Sequence, residues 1–206
     1  MSPFFLSHSR ASFSKSRSYS LFRTSTNSAP RTMSSASKAF SFLPQGGIIQ
    51  KFEINGRNIV LGFPSAESYK TKHSPFFGEN IGRLANRISG AKINSLNGKS
   101  YSLTANNGPN SLHGGPEGWG KKTWEGPTAT QRNGKEAILF KYLSKDGDEG
   151  FPGTVELRTW YTTTIEKDDG VEKTSLEIEY EVELVGDEVE ETAVGVTNHR
   201  YAGAII

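Results

Sequence analysis

Cysteine is missing altogether. Its absence excludes a disulfide scaffold, a Cys-ligated zinc or iron–sulfur site and a cysteine nucleophile. It also removes any reason to place the chain in an oxidising compartment. Long apolar runs are missing too. None approaches the ~20 residues that a membrane-crossing helix needs, so no membrane partner is expected. Acid is missing from the first 52 positions, Glu53 being the first carboxylate. Six of the 24 Lys and Arg side chains fall in residues 1–38, which leaves 18 basic against 22 acidic groups, a net charge of −4, in 39–206. The net +2 of the whole chain therefore comes from its beginning. A mildly acidic body is poor material for a phosphate backbone, and no nucleic-acid partner is expected. Hydrophobic residues make up only 34%, but 12 Phe, 7 Tyr and 3 Trp supply bulky core material across 206 residues.

Residues 1–38 are rich in Ser and Arg and low in complexity. They carry too little apolar surface to offset the cost of ordering and are expected to be a disordered tail. The composition is that of a mitochondrial transit peptide, with Arg17-Ser18-Tyr19-Ser20 resembling a cleavage site. A second reading starts the protein at Met33 and places it in the cytoplasm.

From Phe40 onward, across a domain expected to run over 39–206, the pattern is β. Asn55-Gly56, Asn97-Gly98, Asn107-Gly108, Asn133-Gly134, Asp146-Gly147 and Asp169-Gly170 supply residues that tolerate the positive φ of tight hairpin turns. Short runs of period-two alternation lie between them. In 174–184, Leu176, Ile178, Tyr180, Val182 and Leu184 share one face, while Glu177, Glu179, Glu181 and Glu183 share the other. The spacing predicts a half-buried strand with an acidic outer face, joined through Asp169-Gly170 to a strand at 154–164. Further strands are expected at 47–54, 57–62, 91–95, 100–104, 136–142 and 192–197, and no helix longer than ten residues. The fold class is all-β, a sandwich or barrel of antiparallel strands.

Three loop-like segments carry chemistry. In 78–90, Arg83 and Arg87 flank Asn86. They read either as surface or loop-stapling arginines, which composition favours, or as a guanidinium fork for a polar ligand such as a sugar oxygen. In 106–120, His113 stands before Gly114-Gly115, where bare backbone lets a ligand approach, and Trp119 either stacks on a ring or plugs the core. In 192–206 an apolar strand runs into Asn198-His199, where an imidazole serves as acid or base or is simply a satisfied, half-buried side chain. Asp146, Asp148 and Glu149 lack the spacing of a calcium loop and read as a structural turn. The four histidines offer no close metal-ligand spacing, so no metal is expected.

In this order, GRLANRI at 82–88, GPNSLHGG at 108–115, DGDEGFPG at 146–153 and VTNH at 196–199 resemble the motifs of the aldose 1-epimerase (galactose mutarotase) family. The resemblance implies a galactose-mutarotase-like β-supersandwich and no cofactor. It implies a small-molecule aldohexose substrate, free galactose or glucose, whose α and β anomers interconvert by ring opening. His199 matches the family's acid, His113 its second, sugar-polarising histidine and Arg87 its sugar-binding arginine, with Asn86 beside it. The unmodified LHGG loop looks more like the free-sugar branch than a hexose-6-phosphate epimerase. After the second histidine the family continues Asn-His-Ser-Tyr-Phe-Asn. This chain reads Asn198-His199-Arg200-Tyr201-Ala202-Gly203. The family's substrate-binding Asp and catalytic Glu have no counterpart here. The expectation is a sandwich incomplete at its C-terminus with an exposed edge, and little or no mutarotase activity. The alternatives are a non-catalytic sugar-binding remnant that keeps Arg87, His113 and Trp119, or a non-functional product without cooperative folding.

Overall fold

The structure, a computed structural model, describes residues 4–7, 39–54, 56–71, 76–169 and 171–201. The tail expected over 1–38 lies outside the described residues apart from Phe4–Ser7, as do His8, Asn55, His73 and Gly170. Fifteen strands and one short helix occur among the described residues, which bears out the all-β expectation. In chain order they are β1 Phe4–Ser7, β2 Phe40–Leu43, β3 Ile48–Ile54, β4 Arg57–Asn58, helix α1 Ala66–Thr71 and β5 Asn80–Ile81. β6 Arg87–Ile88, β7 Lys92–Leu96, β8 Lys99–Ser102, β9 Ser111–Leu112 and β10 Glu125–Arg132 follow. β11 Lys135–Ser144, β12 Val155–Asp168, β13 Val171–Leu184, β14 Glu191–Val194 and β15 Thr197–Asn198 complete the list.

The backbone of the fold is an antiparallel sheet in the order β10-β11-β12-β13. Its hairpins close where the turn dipeptides stand. Asn133 (φ +53°) and Gly134 (φ +76°) join β10 to β11, and Asn97 (φ +51°) and Gly98 (φ +70°) join β7 to β8. Both positive φ values suit the twist of a two-residue hairpin. Asp168 pairs with Val171 at the end of the β12-β13 hairpin, where Asp169 sits at φ +46°.

Period two then sorts the side chains. On the inner face, Leu176, Ile178, Tyr180, Val182 and Leu184 pack against a core of Ile49, Trp119, Trp124, Ile138, Phe140, Val155, Leu157, Tyr161 and Val194. Each large apolar side chain buried there is worth roughly 1.5–3 kcal/mol over exposure. On the outer face the glutamates meet arginines: Arg158 reaches Glu156, Glu181 and Glu183, and Arg132 reaches Glu179 and Glu181 while its guanidinium lies 3.9 Å over the Trp160 ring. The acidic row is thus a paired outer face.

Sequence reading missed β2, Phe40–Leu43, and two further kinds of strand. β10 contains Gly126 and Pro127, which break the alternation. It survives because it is the sheet's edge and its register shifts between Glu125 and Thr128, so the missing proline N–H costs no ladder bond. Two-residue strands such as β5, β6, β9 and β15 are too short to show a period. Phe4–Ser7, expected to be irregular, instead pairs antiparallel with Glu191–Val194.

Those short strands position the candidate site. β15 pairs with β5, placing Thr197 opposite Ile81 and Asn198 opposite Asn80. β6 pairs with β9, placing Arg87 opposite Leu112. Backbone bonds tie the three loops together: Gly195 N–H donates to Arg83 O, Ala85 N–H to Gly195 O, and Trp119 N–H to Gly82 O.

Candidate sugar site

The buried amide of Asn80 is the joint between core sheet and site. Its Nδ2 donates to Gly46 O (2.8 Å), Gly47 O (3.1 Å) and the Tyr161 hydroxyl (2.6 Å), and its Oδ1 accepts from Tyr180 OH (2.6 Å) and Asn198 Nδ2 (3.1 Å). Asn198 Nδ2 also donates to Gly78 O at 2.9 Å. The residue before His199 is therefore pinned to β12 and β13 through two tyrosines. His199 itself is held by its backbone, donating to Glu79 O (2.8 Å) and accepting from Gly78 N–H (3.1 Å).

His113 approaches from the other side. Its N–H donates to Asn86 O at 2.9 Å, and the Asn86 N–H donates back to His113 Nδ1 at 3.1 Å. A nitrogen that accepts carries no proton, so the neutral ring holds its hydrogen on Nε2. Both residues adopt left-handed backbone, Asn86 at φ +64° and His113 at φ +55°. Such conformations cost on the order of 1 kcal/mol or more outside glycine and persist where the surroundings hold them. The two imidazole centroids lie 5.1 Å apart, edge to face at 83°. Burial, then the neighbouring His199, then Arg87 push His113 down to about 4. At neutral pH it is an uncharged Nε2–H donor.

Arg87 is exposed beside this pair. Its Nε donates to Asn107 Oδ1 (2.9 Å) and its Nη1 to Asn86 Oδ1 (3.3 Å), which aims the guanidinium. His113, His199, Asn86 and Arg87 thus come together, drawn from three loops.

Arg83, the other member of the arginine pair, goes elsewhere. It is buried, and its fork donates to Pro152 O (2.7 Å), Gly153 O (2.8 Å), Ser144 Oγ (2.7 Å), Ser144 O (3.2 Å) and Lys145 O (3.2 Å). Burial lowers it to about 10, against Asp148 and other anions that raise it. It staples the acidic turn.

That turn is structural, as its composition suggested. Asp146 Oδ1 accepts from Gly153 N–H (2.6 Å), and Asp148 Oδ2 accepts from the hydroxyls of Ser144 (3.0 Å) and Tyr142 (3.3 Å). Glu149 Oε1 accepts the Glu117 N–H (2.8 Å), bracing the His113 loop from behind.

Trp119 is corrected outright as a stacking residue. It is 1% exposed and lies in the main core, where only the bare backbone of Gly82 fits against its ring. It plugs the core and cannot stack on a ligand. Gly114 fits for a similar reason, since a Cβ there would strike the Gly82 carbonyl.

Three residues of the site were invisible in the sequence: Asn80, Phe76 and Lys121. Phe76 packs against both imidazoles, 4.8 Å from His113 and 5.6 Å from His199. Lys121 Nζ sits 4.6 Å over the Phe76 ring and donates to Glu79 Oε1 at 2.7 Å. Tyr201 closes the aromatic surface 5.3 Å from His199. For Phe76 and Tyr201 the only signal was aromatic character, which core and site share; Asn80 and Lys121 gave none. Among the described residues no helix is long and apolar enough to cross a membrane, and no group of three or more His, Asp or Glu is arranged to hold a metal ion.

Comparison with known proteins gives the arrangement its context. Residues 32–201 match the family model described as Aldose 1-epimerase. The chain is 42% identical over 144 residues to the galactose mutarotase of Sus scrofa, covering 70% of this chain and 36% of that protein. It is 38% identical over 158 residues to the bifunctional protein gal10 of Schizosaccharomyces pombe, covering 76% of this chain and 21% of that one. A solved GalM/aldose epimerase homologue from C. elegans superposes with a TM-score of 0.61 at 28% identity, over 80% of this chain and 47% of its own. The chain thus spans about a third of the length of the mutarotase it matches. With a family match across most of its length and an all-β fold shared with that homologue, this chain belongs to the aldose 1-epimerase family.

Proposed function

We propose that the chain carries the histidine-and-arginine side of an aldose 1-epimerase site for free aldohexoses such as galactose and glucose. One observation carries the reading. Residues from three loops, His113, His199, Asn86 and Arg87, meet around an imidazole pair 5.1 Å apart. In this reaction a carboxylate takes the proton of the anomeric hydroxyl, an acid protonates the ring oxygen, and C1–O5 breaks. Rotation about C1–C2 then lets the ring close on the other face. In this reading His199 is the acid. His113 donates its Nε2–H to a sugar oxygen and polarises it, a role that suits a ring neutral at physiological pH. Arg87, aimed by Asn107 and Asn86, binds sugar hydroxyls through its planar fork.

A second reading, sugar binding without turnover, is favoured by a specific feature. The rings of Phe76 and Tyr201 pack against the imidazoles, the Asn86 backbone N–H and Arg87 stand beside His113, and among the described residues no group of three or more His, Asp or Glu is arranged to hold a metal ion. Without a base the chain by itself should bind hexose and turn it over poorly, since general-base help is worth about 10²–10⁴ in rate. Two measurements decide. Titration calorimetry with galactose is expected to give saturable heat that R87A abolishes. Polarimetry of freshly dissolved α-glucose is expected to decay at the uncatalysed rate. Fast, protein-dependent decay would refute the non-catalytic reading, and absence of both binding and turnover would sink the sugar site itself.

A further inference from the structure

Phe76 opens a tight turn in which Glu79 N–H donates to Phe76 O at 3.2 Å. The same turn holds His199, through Gly78 N–H to His199 O and His199 N–H to Glu79 O. Phe76 itself sits at φ +64°, a left-handed conformation unfavourable for a bulky residue. The surroundings that hold it are the imidazoles of His113 (4.8 Å, 73°) and His199 (5.6 Å, 49°), and the ammonium of Lys121 (4.6 Å). Lys121 is fixed in turn by the fully buried Glu79 carboxylate, a bond of 2.7 Å. A ring that merely filled space would not need a strained backbone to reach this position.

We infer that Phe76 is a positioning residue of this site, a cover packed against both members of the touching imidazole pair that keeps water from them, so that His113 serves as an Nε2–H donor and leaves proton transfer to His199. The inference deepens the sugar-site reading and rests on it for the word "donor", but its geometry stands without any sugar. The charged and titratable groups around His113 are His199, Arg87 from β6, and Lys121 beyond the Phe76 ring, all cationic or able to become so. Glu149 lies behind the loop with its carboxylate engaged by the Glu117 amide. Dry packing and neighbouring positive charge therefore act in the same direction on His113, and the Phe76 ring supplies the dryness.

The test is NMR titration of the imidazole resonances in the full chain, without sugar, for the native protein, F76L and F76Y. The native His113 midpoint is expected near 4. In F76L water reaches the ring, and the midpoint is expected to rise to about 5 or above. F76Y, which keeps the ring, is expected to restore the native value. A folded F76L whose His113 midpoint has not moved overturns the inference, for the ring would then be packing alone. Should F76L lose its cooperative melt, the native protein still decides: nuclear Overhauser contacts from the Phe76 ring to both imidazoles are required, and their absence overturns the inference. Calorimetry with galactose separates this from the sugar reading. A shifted midpoint in F76L with no galactose binding by the native chain upholds the cover and removes the sugar site. A shifted midpoint with galactose binding weakened about tenfold in F76L and retained in F76Y upholds both.

Discussion

Two arginines four positions apart show how little residue type decides. Arg83 and Arg87 are chemically identical, and their spacing admits a shared surface. Burial separates them: Arg83 answers six backbone and hydroxyl oxygens inside the protein, and Arg87 stands exposed beside the histidines. R83K should therefore cost stability rather than remove a ligand contact. A single ammonium cannot reproduce the fork, buried carbonyls lose partners, and the expected loss is about 3 kcal/mol in urea denaturation; an unchanged midpoint would refute the staple. His113 gives a second prediction at this scale. Its folded value near 4 lies below the ordinary imidazole value of 6.5, so the unfolded chain binds more protons between those limits. The stability it contributes is complete above about pH 6.5 and is lost as pH falls toward 4. With solvent screening of a half-buried ring allowed for, the loss is on the order of 1 kcal/mol. Thermal melts at pH 7.5 and 4.5 should show a smaller drop for H113Q than for the native chain. Equal drops would show that His113 is not held neutral.

At the scale of elements, what was legible followed from local physics. The alternation of 174–184 and the Asn-Gly turns at 97–98 and 133–134 depend on side-chain direction and φ alone, and the structure has them where expected. β10 and the two-residue strands escaped, the former through Pro127 and the latter because a pair of residues has no period. β14 carries the prediction that belongs here. Thr192, Ala193 and Val194 are buried, and β1 is β14's only strand partner among the described residues. Buried backbone amides need partners. A chain begun at Met33 is expected to show amide exchange at 191–194 faster by at least about tenfold and a lower melting temperature, measured by hydrogen exchange and calorimetry. Unchanged exchange would mean that Phe4–Ser7 adds nothing to the fold.

At the scale of the whole molecule, the site exists because distant segments are tied to one sheet. Asn80 joins Gly46 and Gly47 to Tyr161, Tyr180 and Asn198, residues 33 to 118 positions away from it. The acidic turn braces the His113 loop through Glu149, and Arg83 locks that turn to the loop bearing Asn86 and Arg87. Damage to any of these ties should move the imidazoles without touching them.

The amino-acid order alone settled the all-β class, the main hairpins and the ordered motifs that mark the family, because period two, turn chemistry and motif spacing are all local or linear properties. Tertiary structure alone decided that Arg83 is a staple, that Trp119 is core, that Phe76 packs against both imidazoles and that His113 is neutral. Each of those depends on burial and on neighbours brought from far along the chain, and the free energy of an arginine, an aromatic ring or an imidazole changes more with that environment than with anything adjacent in sequence.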